Sequence, residues 1–319
     1  MGAELMEGMT KEEYHADSAL SQSGIKDYIR DPQYFYQRYV ARSIPSKPST
    51  PSQEFGNAVE ELAFEGRLNA VMIPPEVLNQ EGHRKNRAGE RQWTTWQDAQ
   101  LAQHGPNVKL LKADEFSKPM GPAAIMQAVD NLRAHDFAKR MIWGETVRHV
   151  RIRWVDEITG LECRCEIDLL QLVGVIGDLK TSRIVDPFGF ARCVVQFGYD
   201  FQSFFYREAL RKLAEHRENL PDSPTARAIR PLLNRIADGE NLLCCWVAVK
   251  NSPSYHCEVH PVDEAWYTIA EPIIRQKMLE IAQARATGHW QTRTFGTITN
   301  MVPPKFAFNR IEELATTEE

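Results

Sequence analysis

The chain of 319 residues has no apolar run of about 18 residues, the length that a membrane-spanning helix needs. Residues 1–20 are acidic and lack the apolar centre of a secretory signal. We find no internal repeat and no GxxxxGK[ST] phosphate loop. These absences predict a cytoplasmic protein that does not enter a membrane and does not use a P-loop.

A CxxC pair is also absent from the sequence, although the chain has six cysteines. Several lie in apolar, strand-like runs, so we interpret them as reduced and mostly buried thiols. They are Cys163, Cys165, Cys193, Cys244, Cys245 and Cys257.

Positive charge is not in excess. The chain has 38 Lys and Arg against 43 Asp and Glu, which gives a net charge of −5. This balance is not typical of a nucleic-acid-binding protein, but an enzyme that must release DNA needs only a local basic path. One cluster of arginines, which includes Arg164, lies within residues 148–164. A second basic run contains Arg84, Lys85 and Arg87.

The most informative stretch covers residues 163–182, CRCEIDLLQLVGVIGDLKTS. Its first part alternates, with Arg164, Glu166 and Asp168 predicted on one face of a strand. Glycines then allow the chain to turn into a second strand that carries Asp178 and Lys180 at i, i+2. Asp168 and Asp178 are therefore expected to meet across a hairpin, with Lys180 beside them.

This arrangement suits a divalent cation, since carboxylates are the oxygen ligands that Mg²⁺ or Mn²⁺ prefers. The backbone carbonyl of Leu179 is a further possible ligand. A lysine beside such an ion can hold an attacking water, as phosphodiester hydrolysis requires. The alternative from these residues alone is a surface hairpin with an Asp–Lys ion pair, which would contribute little to stability.

Other polar side chains fall where a site could use them. Gln202 and Tyr206 are four residues apart, on one face of a predicted helix over residues 199–213. Glu60 follows Gly56 in a predicted helix over residues 54–66. Glu145 opens a predicted strand, although an exposed glutamate is an equally good interpretation there.

Together these motifs resemble the PD-(D/E)xK nuclease superfamily. Asp168, Asp178-Leu-Lys180 and Gln202-x-x-x-Tyr206 occur in the order of the exodeoxyribonuclease VIII (RecE-type) and RecB-like nuclease domains. The resemblance extends over residues 21–262. In that family Gly-x-x-x-His provides a metal-binding histidine, whereas this chain has Glu60 at the position of the histidine.

The resemblance implies an α/β fold with a central mixed sheet flanked by helices, in the manner of restriction endonucleases. It implies catalytic roles for Asp168, Asp178, Lys180, Gln202 and Tyr206. Metal binding would involve Asp168, Asp178, Leu179 and Glu60, with Glu145 and Glu166 of second rank. Phosphate contacts are expected at Arg84, Lys85, Arg87 and Arg164.

The implied activity is Mg²⁺- or Mn²⁺-dependent exonuclease cleavage of linear duplex DNA, in bacterial or phage recombination with a RecT-like annealing partner. An endonuclease of the same superfamily and a catalytically silent DNA-binding protein are the alternatives. Relatives with an iron–sulfur cluster have one cysteine before the core and three near the C-terminus, which this chain lacks. A ring around DNA and a monomer with a basic cleft fit the charge distribution equally well.

For the domain organisation, we expect an N-terminal arm over residues 1–20 and one nuclease domain over residues 21–319. Residues 214–240 are charged and contain three prolines, so they are predicted to be an excursion from the core. The predicted C-terminal tail begins near residue 288.

Overall fold

A central six-stranded sheet organises the fold, with strand order β1-β4-β5-β6-β7-β8. The computed structural model describes residues 2–45, 47–78, 90–106 and 108–290. The strands are β1 (Ala3–Leu5), β2 (Ala70–Met72), β3 (Lys109–Leu111), β4 (Thr146–Val155), β5 (Glu162–Gln171), β6 (Val175–Ser182), β7 (Leu243–Lys250) and β8 (Cys257–Pro261). Because β6 and β7 are parallel and the other pairs are antiparallel, the sheet is mixed.

Helices cover both faces of this sheet. They are α1 (Lys11–Ala16), α2 (Gln22–Arg30), α3 (Pro32–Phe35), α4 (Pro51–Glu65), α5 (Glu90–His104), α6 (Ala113–Phe116), α7 (Pro122–Ala134), α8 (Asp136–Trp143), α9 (Pro187–Phe197), α10 (Tyr199–Glu215), α11 (Pro224–Ala237) and α12 (Glu264–Thr287). One core cluster lies between the sheet and α2, α10, α11 and α12, and another lies under α4, α7 and α8. The predicted α/β fold with a flanked mixed sheet is confirmed.

Local signals explain several of these boundaries. Ser21 accepts a hydrogen bond from the backbone N–H of Gly24 at 3.2 Å and so begins α2. The next helix starts at Pro32, as the Asp31-Pro32 dipeptide predicts. The cysteine prediction also holds, since Cys163, Cys165, Cys244 and Cys245 are buried.

The N-terminal residues are not a loose arm. β1 adds an edge strand to the sheet, with Ala3 opposite Trp154 on β4. Tyr14 and Leu20 are buried, which anchors the segment that follows. Three residues are too few for an alternating pattern to appear, so this strand has no clear signal in the sequence.

The predicted excursion over residues 214–240 is wrong. It contains α11, whose side chains Ile229, Leu233 and Ile236 are buried in the main core cluster. These positions recur at helical spacing, and Pro224 stands at the first turn, where a proline is tolerated. The prediction was wrong because it was based on the charges and prolines of the segment and did not consider this apolar stripe.

The stretch before residue 108 and the C-terminal region complete the described fold. The polar stretch before residue 108 contains α5, and Trp93 is buried against Ile73 and Val77. Its indole therefore packs in a small core. The predicted tail begins where α12 ends, at Gly288, but residues 291–319 lie outside the described residues.

Candidate active site

The site forms where two adjacent strands separate. β5 and β6 pair only over Leu169–Gly177, Leu170–Ile176 and Gln171–Val175. The next positions in this register are Asp168 and Asp178. Beyond them β6 continues beside β7, so the two carboxylates lie at the opening between diverging strands.

Asp168 and Asp178 are close enough for the charge of one carboxyl group to act on the other. Burial raises the pKa of Asp168 well above its ordinary value, and the negative charge of Asp178 raises it further. The structure therefore brings together the two acids that the sequence paired, in a setting that favours a proton or a cation between them.

Lys180 compensates part of this negative charge. Its ammonium group is ion-paired with Asp178, and its Nζ lies 5.0 Å from the centre of the Tyr199 ring. Burial alone would lower the pKa of Lys180, but Asp178 and Asp168 outweigh it and raise that pKa. Lys180 is consequently a protonated hydrogen-bond donor at neutral pH.

Gln202 and Tyr206 lie on α10, which packs against the sheet beneath the carboxylates. The amide nitrogen of Gln202 donates to the Tyr206 hydroxyl at 2.5 Å, and that hydroxyl donates to Asp178 Oδ1 at 3.3 Å. Tyr206 is only 1% exposed, which fixes its ring. The pair thus holds Asp178 in place.

Glu60 approaches the same region from α4. This helix lies close to β6 at Gly56, where an added Cβ would be 2.8 Å from the Thr181 hydroxyl oxygen. Glu60 is one turn later and lines a cavity of about 550 Å³. Burial raises its pKa, while Lys11, His149 and Lys180 oppose the rise.

Within the described ranges, no three Asp, Glu, His or Cys side chains are grouped tightly enough to hold a metal ion. Asp168 and Asp178 nevertheless suit one, because both offer hard oxygen ligands. Asp178 Oδ2 is buried and faces the Lys180 ammonium group, with which it is ion-paired. The carboxylate oxygens of Asp168 and Asp178 are still a donor set that fits a cation, with Glu60 and the Leu179 carbonyl as further candidates.

The second-rank glutamates have different surroundings. Glu145 is exposed at the entrance to β4, four residues before the position opposite Asp168. Glu166 pairs with Arg151 and lies 3.5 Å from His149. Burial would raise the pKa of Glu166, but hydrogen bonds from His149 and Arg151 prevail and lower it to about 2.

The predicted phosphate contact at Arg164 is wrong. Its side chain is 5% exposed and donates hydrogen bonds to the backbone carbonyls of Tyr14 and Ala19. The guanidinium also lies 4.3 Å from the centre of the Tyr14 ring. Arg164 therefore anchors the N-terminal segment to β5. Arg84, Lys85 and Arg87 lie outside the described residues.

Sequence reasoning missed two side chains near the site. His149 has a positive φ of 52° within β4, and the strand register skips its pairing with Asp168. Such strain is costly for a residue with a Cβ and concentrates at functional positions. Lys26, on α2, comes near Lys180 and Asp178. Neither residue belongs to a motif, so only the three-dimensional structure reveals them.

The fold and the paired acids with their lysine define a member of the PD-(D/E)xK nuclease superfamily. A family model described as "PDDEXK-like domain of unknown function (DUF3799)" matches residues 21–221, and the chain belongs to that family. No curated protein matches the chain.

A solved structure from Eubacterium rectale, described as a "Putative exonuclease", is similar in fold. The TM-score is 0.51 at 15% sequence identity, over 94% of this chain and 97% of the other. The likeness covers nearly the whole of both chains and agrees with the superfamily. In the part of the chain that the structure describes, no helix is both long and apolar enough to cross a membrane.

Proposed function

We propose that this protein is a Mg²⁺- or Mn²⁺-dependent deoxyribonuclease that hydrolyses phosphodiester bonds from the ends of linear duplex DNA. The observation that carries the proposal is the group formed by Asp168, Asp178 and Lys180 at the opening between β5 and β6. A structural ion pair between Asp178 and Lys180 would not require a second carboxylate beside it. The family membership supports the same class of reaction.

In this proposal Asp168 and Asp178 hold the metal, with Glu60 and the Leu179 carbonyl as additional ligands. A bound divalent ion supplies charge neutralisation at the phosphate and a more acidic water. Tyr206 fixes the orientation of Asp178, and Gln202 fixes the hydroxyl of Tyr206. The protonated Lys180 donates a hydrogen bond to the attacking water or to a phosphate oxygen, which favours in-line attack.

The resemblance to the exodeoxyribonuclease VIII branch supports the finer parts of the proposal. These are a preference for DNA ends, a role in phage or prophage recombination, a RecT-like annealing partner and a ring-shaped assembly. A bacterial or phage-encoded protein of the cytoplasm would fit this setting.

The test is a timed digestion of end-labelled linear duplex DNA with Mg²⁺ and with EDTA, beside a closed circular duplex of the same sequence. We expect the linear DNA to shorten progressively from its ends with Mg²⁺ alone, and the circle to remain closed. Cleavage of the circle would favour an endonuclease. Absence of any cleavage by the wild type, with either Mg²⁺ or Mn²⁺, would favour the silent DNA-binding alternative.

The matched variant for this assay is Asp178→Ala. It removes a proposed metal ligand and part of the acid–acid repulsion, so the variant should fold and yet lose cleavage. A rate near that of the wild type would contradict the assignment of the site.

A further inference from the structure

A pair of aromatic rings extends from the catalytic group to the surface. Lys180 lies over the ring of Tyr199, and the ring of Phe197 is 5.7 Å from that of Tyr199 at an interplanar angle of 31°. The two residues flank Gly198, whose φ of 62° ends α9 and begins α10. This sharp junction holds both rings on the side of the molecule that carries Lys180.

The outer ring is not part of the core. Phe197 is 47% exposed, whereas Phe190 on the same helix is 2% exposed. Tyr199 is only partly buried and packs against Phe190 at 6.1 Å. Tyr199 therefore forms a supported base for the pair, and Phe197 presents aromatic surface to the solvent.

Two lysines lie beside this aromatic pair. Lys26 donates from Nζ to the backbone carbonyl of Phe197 at 2.7 Å, and its aliphatic stem lies against Gly198. Burial, together with the positive charge of Lys180, lowers the pKa of Lys26 to about 8. Lysines beside one exposed ring match the two parts of a nucleotide, since cations bind the phosphate and a ring stacks on the base.

We propose that Phe197 and Tyr199 form a subsite for one unpaired nucleobase next to the phosphodiester that reacts, with Lys26 close to the adjoining phosphate. The inference rests on the proposed function, because it describes how the DNA strand is presented to the same site. An interior base of a duplex is stacked on both faces and cannot also stack on Phe197. An unpaired base at the end of a strand has free faces, so the subsite suits a single-stranded end.

The aromatic subsite predicts a specific binding defect. Phe197→Ala should weaken the binding of a fluorescent single-stranded oligonucleotide in EDTA by about tenfold, as expected for the loss of one stacking contact. Phe197→Trp should retain the affinity. Because Phe197 is half-exposed, the alanine variant should fold, which its melting temperature checks.

The matched control is Phe188→Ala, since Phe188 lies on the same helix and is 89% exposed. Its DNA affinity should equal that of the wild type. An equal loss in both alanine variants would assign binding to the whole face of α9 and overturn the proposal. Unchanged affinity in Phe197→Ala would also overturn it and would leave the ring available for a protein partner.

A second arm tests the contact with a base directly. An abasic position is moved along the oligonucleotide, and at one position the difference between wild type and Phe197→Ala should disappear. If the difference persists at every position, the ring meets no base and the subsite is wrong. Binding is measured without metal, so a wild type that binds but never cleaves would contradict the nuclease proposal alone.

Discussion

Asp178 is the side chain on which the other residues of the site converge. One carboxylate oxygen accepts a hydrogen bond from Tyr206, and the other lies beside Lys180. Asp168 faces it from the neighbouring strand. A side chain restrained from three directions is preorganised, so the orientation of a proposed metal ligand costs little further ordering when the metal binds.

The hydroxyl of Tyr206 can be tested alone. Tyr206→Phe removes the hydrogen bond to Asp178 and keeps the buried ring, so we expect cleavage to fall by about 10–100-fold, as for other partners of metal ligands. The melting temperature should change little. The control is Tyr267→Phe, because the Tyr267 hydroxyl is also buried but lies on α12, which carries none of the proposed site residues. Equal activity of Tyr206→Phe and wild type would remove Asp178 positioning from the mechanism.

Asp168 links stability to pH. Because its pKa is raised in the folded protein, the folded state keeps a proton that the unfolded state has lost. The resulting stability is fully present below the unfolded pKa and disappears as pH rises through the folded pKa. Glu60 shifts in the same direction. The metal-free protein is therefore expected to lose stability on the alkaline side of these pKa values.

We expect Asp168→Asn to raise the melting temperature of the metal-free protein at pH 8 and to abolish the stabilisation that Mg²⁺ gives the wild type. Thermal unfolding at pH 5 and pH 8, with Mg²⁺ and with EDTA, measures both effects. Asp222→Asn is the control, since Asp222 is exposed and forms an ion pair with an exposed arginine, Arg227. A variant that Mg²⁺ still stabilises as strongly as the wild type would place the ion elsewhere.

Variants of Glu60 and Glu61 distinguish a glutamate that binds the metal from one that only adds negative charge to the cavity. Both line it, but Glu61 lies 3.6 Å from Arg67, whereas Glu60 is close to Lys180 and Asp178. Glu60→Gln should increase the Mg²⁺ concentration needed for half-maximal cleavage, and Glu60→His should preserve some activity. Glu61→Gln should be nearly silent. Equal effects at the two positions in a Mg²⁺ titration would mean that α4 presents the other face to the metal.

At the scale of helices and strands, the pairing of Asp168 with Asp178 was predictable because alternation and two glycines specify a hairpin. The roles of Tyr206 and Arg164 were not. A sequence gives the spacing of a helical pair, but which side chain lies beneath it depends on how α10 crosses the sheet. Likewise, the sequence does not show that the N-terminal segment folds over Arg164 and accepts its hydrogen bonds. Without that contact, an arginine near acidic strands is expected to bind phosphate.

The contribution of α11 to the stability of the core can be tested with two substitutions. Leu233 is fully buried in the main core, so Leu233→Ala should reduce the free energy of unfolding by about 2–5 kcal/mol. Arg227→Ala, on the exposed side of the same helix, should change it by less than about 0.5 kcal/mol. Urea denaturation measures both. A small effect at Leu233 would mean that the helix is dispensable, as the charged composition had suggested.

At the scale of the whole molecule, a closed ring requires two different complementary surfaces on each copy, repeated about an axis. Exposed apolar side chains occur at both ends of β6. Val173 and Leu243 are 70% and 63% exposed beside its first residue, while Val195 is 68% exposed on α9, which follows its last. Two separated apolar surfaces fit a head-to-tail contact better than a symmetric dimer. The net charge of −5 also leaves room for an acidic exterior around a basic inner wall.

Light scattering at micromolar concentration decides between the ring and the monomer. A ring predicts a mass that is a multiple of 36.5 kDa, and Leu243→Glu should reduce it to one copy by placing a charge in the contact. Ile158→Glu is the control, since Ile158 is similarly exposed, at 70%, but lies in the β4–β5 turn. A wild-type monomer that stays monomeric with DNA would end the ring proposal. It would leave the site intact, because every residue assigned to catalysis comes from one chain.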